Sequence, residues 1–153
     1  MTSISKAFSE KLFQLSRGSC GASELQARRC LLDYLGAAIA GAHVLQAREQ
    51  EILGRFDSSS GPIRPIGHKH ETSLEQAIFL NGLSSHVLEM DDGVRYGMLH
   101  PGSPIFSGLL PVAEAKGVDG SALLRGIIVG YEASVRLAMS IQPGHYKLGY
   151  HPT

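Results

Sequence analysis

The chain has no tryptophan, two cysteines, no surplus of either charge and no apolar run of membrane-spanning length. Each shortage excludes something. Cys20 and Cys30 are too few for a disulfide framework, and Cys30 falls inside a helical pattern as a small core residue. The 14 basic residues balance the 14 acidic ones, so no strongly charged surface is on offer to nucleic acid or to an anionic membrane. The longest membrane-like run, Tyr34 to Val44, falls well short of the roughly 20 residues that a bilayer-spanning helix needs. The N-terminus bears Ser and Lys and lacks the apolar centre of a signal peptide. The expected location is therefore cytoplasmic, with neither nucleic acid nor membrane as a partner.

What remains is ordinary globular material. A length of 153 residues, 43% hydrophobic and 18% charged, fits one domain able to bury a core. The patterning predicts a mainly α fold of about five or six helices joined by Gly- and Pro-rich turns. Phe8, Leu12 and Leu15 mark an amphipathic helix over Ile4 to Leu15. Ser23 and Gln26 suggest a capping box for a second helix, with Leu31, Leu35, Ala38, Ile39 and Ala42 as its apolar stripe. Gly36, Ala40 and Gly41 on that helix would let another element come close. A third helical piece spans about Gln46 to Phe56, then a loop from Asp57 to Pro65, with a short extended piece from Ile63 to Ile66. Ser103-Pro104 reads as a cap and first-turn proline opening a helix toward Lys116, which Pro111 should kink or break. Ser121 opens the most strongly patterned helix, with Leu124, Ile127, Ile128, Tyr131, Val135 and Ala138 on one face. Glu132 and Arg136 should pair on its exposed side, and Gly126, Gly130 and Ser134 form a ridge suited to close helix contact.

The stretch from Leu74 to Pro104 organises the rest. Ser73 caps a helix predicted from Leu74 to Leu88, and the chain then delivers Glu89-Met90-Asp91-Asp92. Acids at the C-terminal end of a helix oppose its dipole, and such a local conflict is characteristic of functional sites. A loop leads on to His100-Pro101-Gly102, where proline holds His100 in an extended conformation. Carboxylates beside a positioned histidine suit proton chemistry. His86 is expected to pack near the acids, and Glu89 to be structural.

The run from Leu80 to Asp92 with His100-Pro101-Gly102 resembles the MmgE/PrpD family, which includes 2-methylcitrate dehydratase, cis-aconitate decarboxylase and iminodisuccinate epimerase. The resemblance continues upstream through Leu31-Leu32-Asp33-Tyr34-Leu35-Gly36. Downstream it runs through Gly130-Tyr131-Glu132 to Gly149-Tyr150-His151-Pro152-Thr153. It implies that residues 1–153 are the N-terminal segment of one helical MmgE/PrpD-type domain, and that the full-length form is a homodimer. It implies small di- or tricarboxylate substrates and proton removal or addition next to a carboxylate, by a lyase or isomerase that needs no cofactor. His100 and His151 are then the expected groups for proton transfer or carboxylate binding. Asp91 and Asp92 are expected to orient a histidine or hold a substrate hydroxyl, with His100 and Asp92 close in space. Gly93 stands where the family usually has a hydroxyl residue.

Two other readings compete. One is a non-catalytic helical fragment or degenerate paralogue acting through association, and the segment as it stands is expected to be inactive alone. The other is a cupin-like metal site at His68, His70 and Glu75, since histidines at i,i+2 on a strand share one face. Because that motif is divided between a loop and a helix, no bound metal is expected.

Overall fold

The computed structural model describes residues 3–18, 21–56 and 60–150. Helix α1 (Ile4–Arg17) is followed by the long α2 (Ser23–Leu45), which passes through a 3-10 turn at Gln46–Arg48 into α3 (Glu49–Leu53). Then come α4 (Leu74–His86), α5 (Gly102–Lys116), α6 (Gly120–Ile141) and α7 (Gly144–Lys147). No strand occurs among the described residues. Two isolated antiparallel bridges, Ile63 with Thr72 and Val94 with Leu99, close the two long connections. The fold is mainly α, as the patterning predicts.

The core forms where α2, α5 and α6 meet, around Ala27, Tyr34, Ala38, Phe106, Leu124 and Ile127. Tyr34 and Phe106 pack as a tilted pair with ring centroids 4.8 Å apart, and Phe106 meets Tyr131 edge-on at 6.1 Å. By length and composition alone the helical run Ser23–Leu53 could cross a membrane, contrary to the shorter run read from the sequence. In this fold it is the central helix, with Tyr34, Ala38 and Ala42 buried and Arg28, Arg29 and Asp33 on its outer side.

Small residues decide which face of α2 turns inward. The expected stripe included Ile39, yet Ile39 is exposed and Ala37, Ala38, Gly41 and Ala42 are buried. Helix α4 lies so close that a Cβ at Gly41 would run into the Ser84 carbonyl oxygen, so only small side chains fit there. The ridge on α6 works the same way against α5: a Cβ at Gly126 would sit 3.1 Å from Leu109, and one at Gly130 3.0 Å from Ile105. By contrast a Cβ at Gly36 would meet nothing within 4 Å.

Several expected boundaries move. At Ser23 no side chain caps α2, whose N-cap is Ala22. Ser103 is also inside its helix rather than at the cap, because α5 already starts at Gly102. Helix α5 runs on through Pro111, and the expected break is absent. The Glu132–Arg136 pair forms at 2.6 Å, and Ser73 makes a full capping box with Gln76.

The contrast between the two glycines of α2 is directly testable. Gly41→Ala should destabilise the chain by about 1–3 kcal/mol, the usual cost of overpacking. Gly36→Ala, in open space within a helix, should stabilise it by up to about 1 kcal/mol. Urea denaturation of the two variants measures both signs.

Candidate active site

The site begins with the buried face of α4, which mixes polar and apolar side chains. Gln76, Asn81, Ser84 and Ser85 are buried there beside Ala77 and Leu80. Of the apolar residues that helical spacing puts near one face, Phe79, Leu80, Leu83 and Val87, Leu80 is fully buried whereas Phe79 and Val87 are exposed. Buried polar groups need partners. Asn81 Oδ1 accepts from the Ile66 amide at 2.8 Å, and Ser84 Oγ lies 3.0 Å from His68 Nε2. Ser85 Oγ lies 2.8 Å from Ser103 Oγ at the start of α5. These contacts bind the 60–73 connection and the α5 N-terminus to one helix.

Helix α4 stops at His86, ahead of the acids. Glu89 then adopts the left-handed conformation, φ 50°, and its amide donates to the His86 carbonyl at 2.9 Å. This reversal carries Asp91 back against His86. The acids therefore do not sit on a helix C-terminus, and the predicted conflict with the α4 dipole does not arise.

Asp91 and Asp92 divide their roles. The Asp91 side chain is 1% exposed, and His86 Nδ1 lies 3.0 Å from each of its oxygens. His100 Nδ1 lies 3.7 Å from the same Oδ2. The two imidazole rings face each other edge to face, centroids 5.3 Å apart, with side-chain exposures of 42% and 32%. Asp92 turns elsewhere: Oδ1 accepts from the Gly102 amide at 2.9 Å and Oδ2 from the Tyr131 hydroxyl at 2.6 Å. It thus caps α5 from the favourable end of that helix's dipole. A Cβ at position 102 would lie 2.6 Å from Asp92 Oδ1, so glycine is required at that approach. Of the two acids, Asp91 faces His100, while both Asp92 oxygens accept from the α5–α6 strut.

His151, with Pro152 and Thr153, lies outside the described residues, as does Cys20. Two further residues belong to the site. His86 was legible only as a neighbour of the acids, although its place five residues before Asp91, at a helix end, is the available signal. Tyr131 is legible in the family resemblance and on the α6 apolar face, but its pairing with Asp92 is not, because the two are distant in sequence. The cupin-like reading fails on geometry. His68 is buried, with Nδ1 3.2 Å from Glu49 Oε2, whereas His70 and Glu75 are exposed. A cavity of about 180 Å³ between α2 and α6, lined by Cys30, Ile127 and Tyr131, lacks all three residues of the His86–Asp91–His100 group and has no place in its chemistry.

Burial, with the Asp92 carboxylate in second place, raises the Tyr131 hydroxyl well above the ordinary tyrosine value of 10.0. Burial also raises Tyr34, against a smaller opposing effect from Ser85. A group that holds its proton more tightly when folded contributes stability that is complete below its unfolded pKa and is lost as the pH rises above it. Thermal melts should show stability falling above about pH 10, and Tyr131→Phe should blunt that fall.

The description of the MmgE/PrpD N-terminal domain matches residues 19–153, which include every helix from α2 onward and the whole His86–Asp91–His100 group. No curated protein and no solved structure matches the chain. With the family's model covering all but the first helix, and a helical fold as that family requires, the chain belongs to the MmgE/PrpD family by its N-terminal domain.

Proposed function

We propose that this chain carries proton-transfer residues of an MmgE/PrpD-type lyase or isomerase, acting next to a carboxylate of a small di- or tricarboxylate. The observation that supports the reading is a buried carboxylate, Asp91, facing the Nδ1 atoms of two half-exposed imidazoles. A carboxylate at this position only accepts hydrogen bonds, so it favours hydrogen on Nδ1 of His86 at 3.0 Å. Its charge favours the same tautomer, with a lone pair on Nε2, in His100, whose Nδ1 stands 3.7 Å away. An Nε2 lone pair is what removal of a proton from carbon needs, and imidazole works near neutral pH. The imidazolium formed in that step stays beside Asp91, which offsets its charge. His100, on the rigid entry to α5, is the proposed base. His86 fixes the Asp91 carboxylate, and Asp92 positions His100 by holding the α5 start to Tyr131. His151 is proposed as a second group for proton transfer or carboxylate binding. Dehydration, decarboxylation and epimerisation share this step, and none requires a cofactor for it.

A second reading, action through association, draws on one observation. Leu25, Leu32 and Ile39, spaced by seven along α2, are 57%, 73% and 55% exposed on one side. An apolar stripe of this kind favours self-association, in line with a homodimer. Size-exclusion chromatography should show Leu32→Glu shifting the chain toward the monomer.

Proton exchange tests the catalytic reading without choosing among the reactions. With 2-methylcitrate, cis-aconitate or iminodisuccinate in D2O, NMR should record loss of the C–H signal next to a carboxylate, using the longest product of the reading frame. His100→Gln and Asp91→Asn should each slow that exchange by roughly 10²–10⁴-fold, the usual range for general acid–base groups. Exchange undiminished in His100→Gln would remove His100 as the base.

A further inference from the structure

The expectation of a metal-free chain weighed His68, His70 and Glu75, which diverge. The fold brings a different trio together. His86, Asp91 and His100 each offer one ligand atom, and these atoms lie within 4.8 Å of one another. The two pairs that share Asp91 are 3.0 and 3.7 Å apart. In a tetrahedral zinc site with bonds of 2.0–2.1 Å, neighbouring donor atoms stand about 3.3 Å apart. The Asp91 pairs bracket that figure, and only the gap between the two imidazoles has to close.

The surroundings define the donor set. Asp92 is excluded because Gly102 and Tyr131 occupy its oxygens. Glu89, the left-handed residue of the reversal, is exposed. Two imidazole nitrogens and one carboxylate oxygen suit zinc and its neighbours in the first transition row. Magnesium and calcium prefer all-oxygen shells. Three protein ligands leave a fourth position for water, and the exposure of His86 provides a way in from solvent.

We propose that His86, Asp91 and His100 form a binding site for a zinc-class divalent cation, and that occupancy switches the proton-transfer site off. A neutral imidazole carries one ring hydrogen. Coordination through Nδ1 moves that hydrogen to Nε2, with no net proton released. The Nε2 lone pair that would accept a proton from substrate is then gone, and Asp91 is engaged by the metal instead of the rings. Metal binding and proton transfer are alternative states of the same three side chains. The binding half of this inference rests on geometry alone. The switching half rests on the function proposed above.

Calorimetric titration of the chain with zinc chloride should give saturable one-to-one binding, and cobalt(II) should develop the visible absorption of a tetrahedral site. His86→Ala and His100→Ala should each weaken zinc by at least about tenfold. His70→Ala and replacement of zinc by magnesium serve as controls, the first without effect and the second without binding. Circular dichroism of His86→Ala, whose side chain is half exposed, checks that the variant stays folded. Long-range proton–nitrogen NMR should show both rings carrying hydrogen on Nδ1 without metal and on Nε2 at zinc saturation. Absence of saturable zinc binding, a loss under tenfold in folded His86→Ala, or an equal loss in His70→Ala would overturn the site. Unchanged ring tautomers at saturation would overturn the switch. None of these readouts requires turnover, so their failure leaves the proton-exchange experiment to decide the catalytic reading separately.

Discussion

The architecture depends on one constraint: α4 buries polar side chains beside Ala77 and Leu80, and each polar group must find a partner. Leaving a buried hydroxyl or amide unpaired costs about 1–3 kcal/mol, more than most single contacts supply. Asn81, Ser84 and Ser85 therefore draw other parts of the chain to α4. The Ile66 amide, the His68 ring and the Ser103 hydroxyl are those parts. Close packing of α2 through Gly41 excludes water from the same region, which makes the pairing obligatory. The Ser85–Ser103 contact matters most for chemistry. It ties the residue before His86 to the α5 N-terminus, three residues beyond His100, and so fixes the distance between the two histidines.

Much of this was legible in the sequence, and the failures share a cause. Helices with one continuous apolar side, α1 and α6, are legible nearly to their ends. Ser73 with Gln76 and Glu132 with Arg136 are local pairs, set by spacing within one helix. On α4 the apolar pattern places Leu80 correctly in the core but ranks Phe79 and Val87 above Asn81 and Ser85, an order that burial reverses. Hydropathy ranks a side chain alone, whereas burial of Asn81 depends on the Ile66 amide. The missing caps at Ser23 and Ser103 failed likewise: a serine near a helix start was read as a local acceptor, and Ser103 is spent on another helix.

The acid pair is legible by motif, but the partner of each acid is not. Adjacent residues in an irregular segment point in different directions, so Asp91 meets the two histidines while Asp92 meets Gly102 and Tyr131. Which acid faces inward is set by the turn at Glu89, and nothing in the residue type at that position announces a left-handed backbone. The family resemblance supplied the neighbourhood, while the fold assigned the partners. Asp92 emerges as the strut between α5 and α6, and Asp91 as the shared carboxylate. Tyr131 takes its place beside the site through that strut.

The reversal at Glu89 also governs how the segment can vary in length. Between His86 and Asp91 the path is closed by a backbone hydrogen bond and a single left-handed residue, so its length is set to the atom. An inserted residue there would swing Asp91 out of the histidine pair while leaving every helix intact. The other end of the same connection is tolerant. Tyr96 is 79% exposed at the tip beyond the Val94–Leu99 bridge, where extra residues would loop into solvent above a closed base. Within one fifteen-residue connection, then, evolution has a rigid measure beside a free margin. Natural length variation should accumulate around the exposed positions 95–96 and be absent from 87–90.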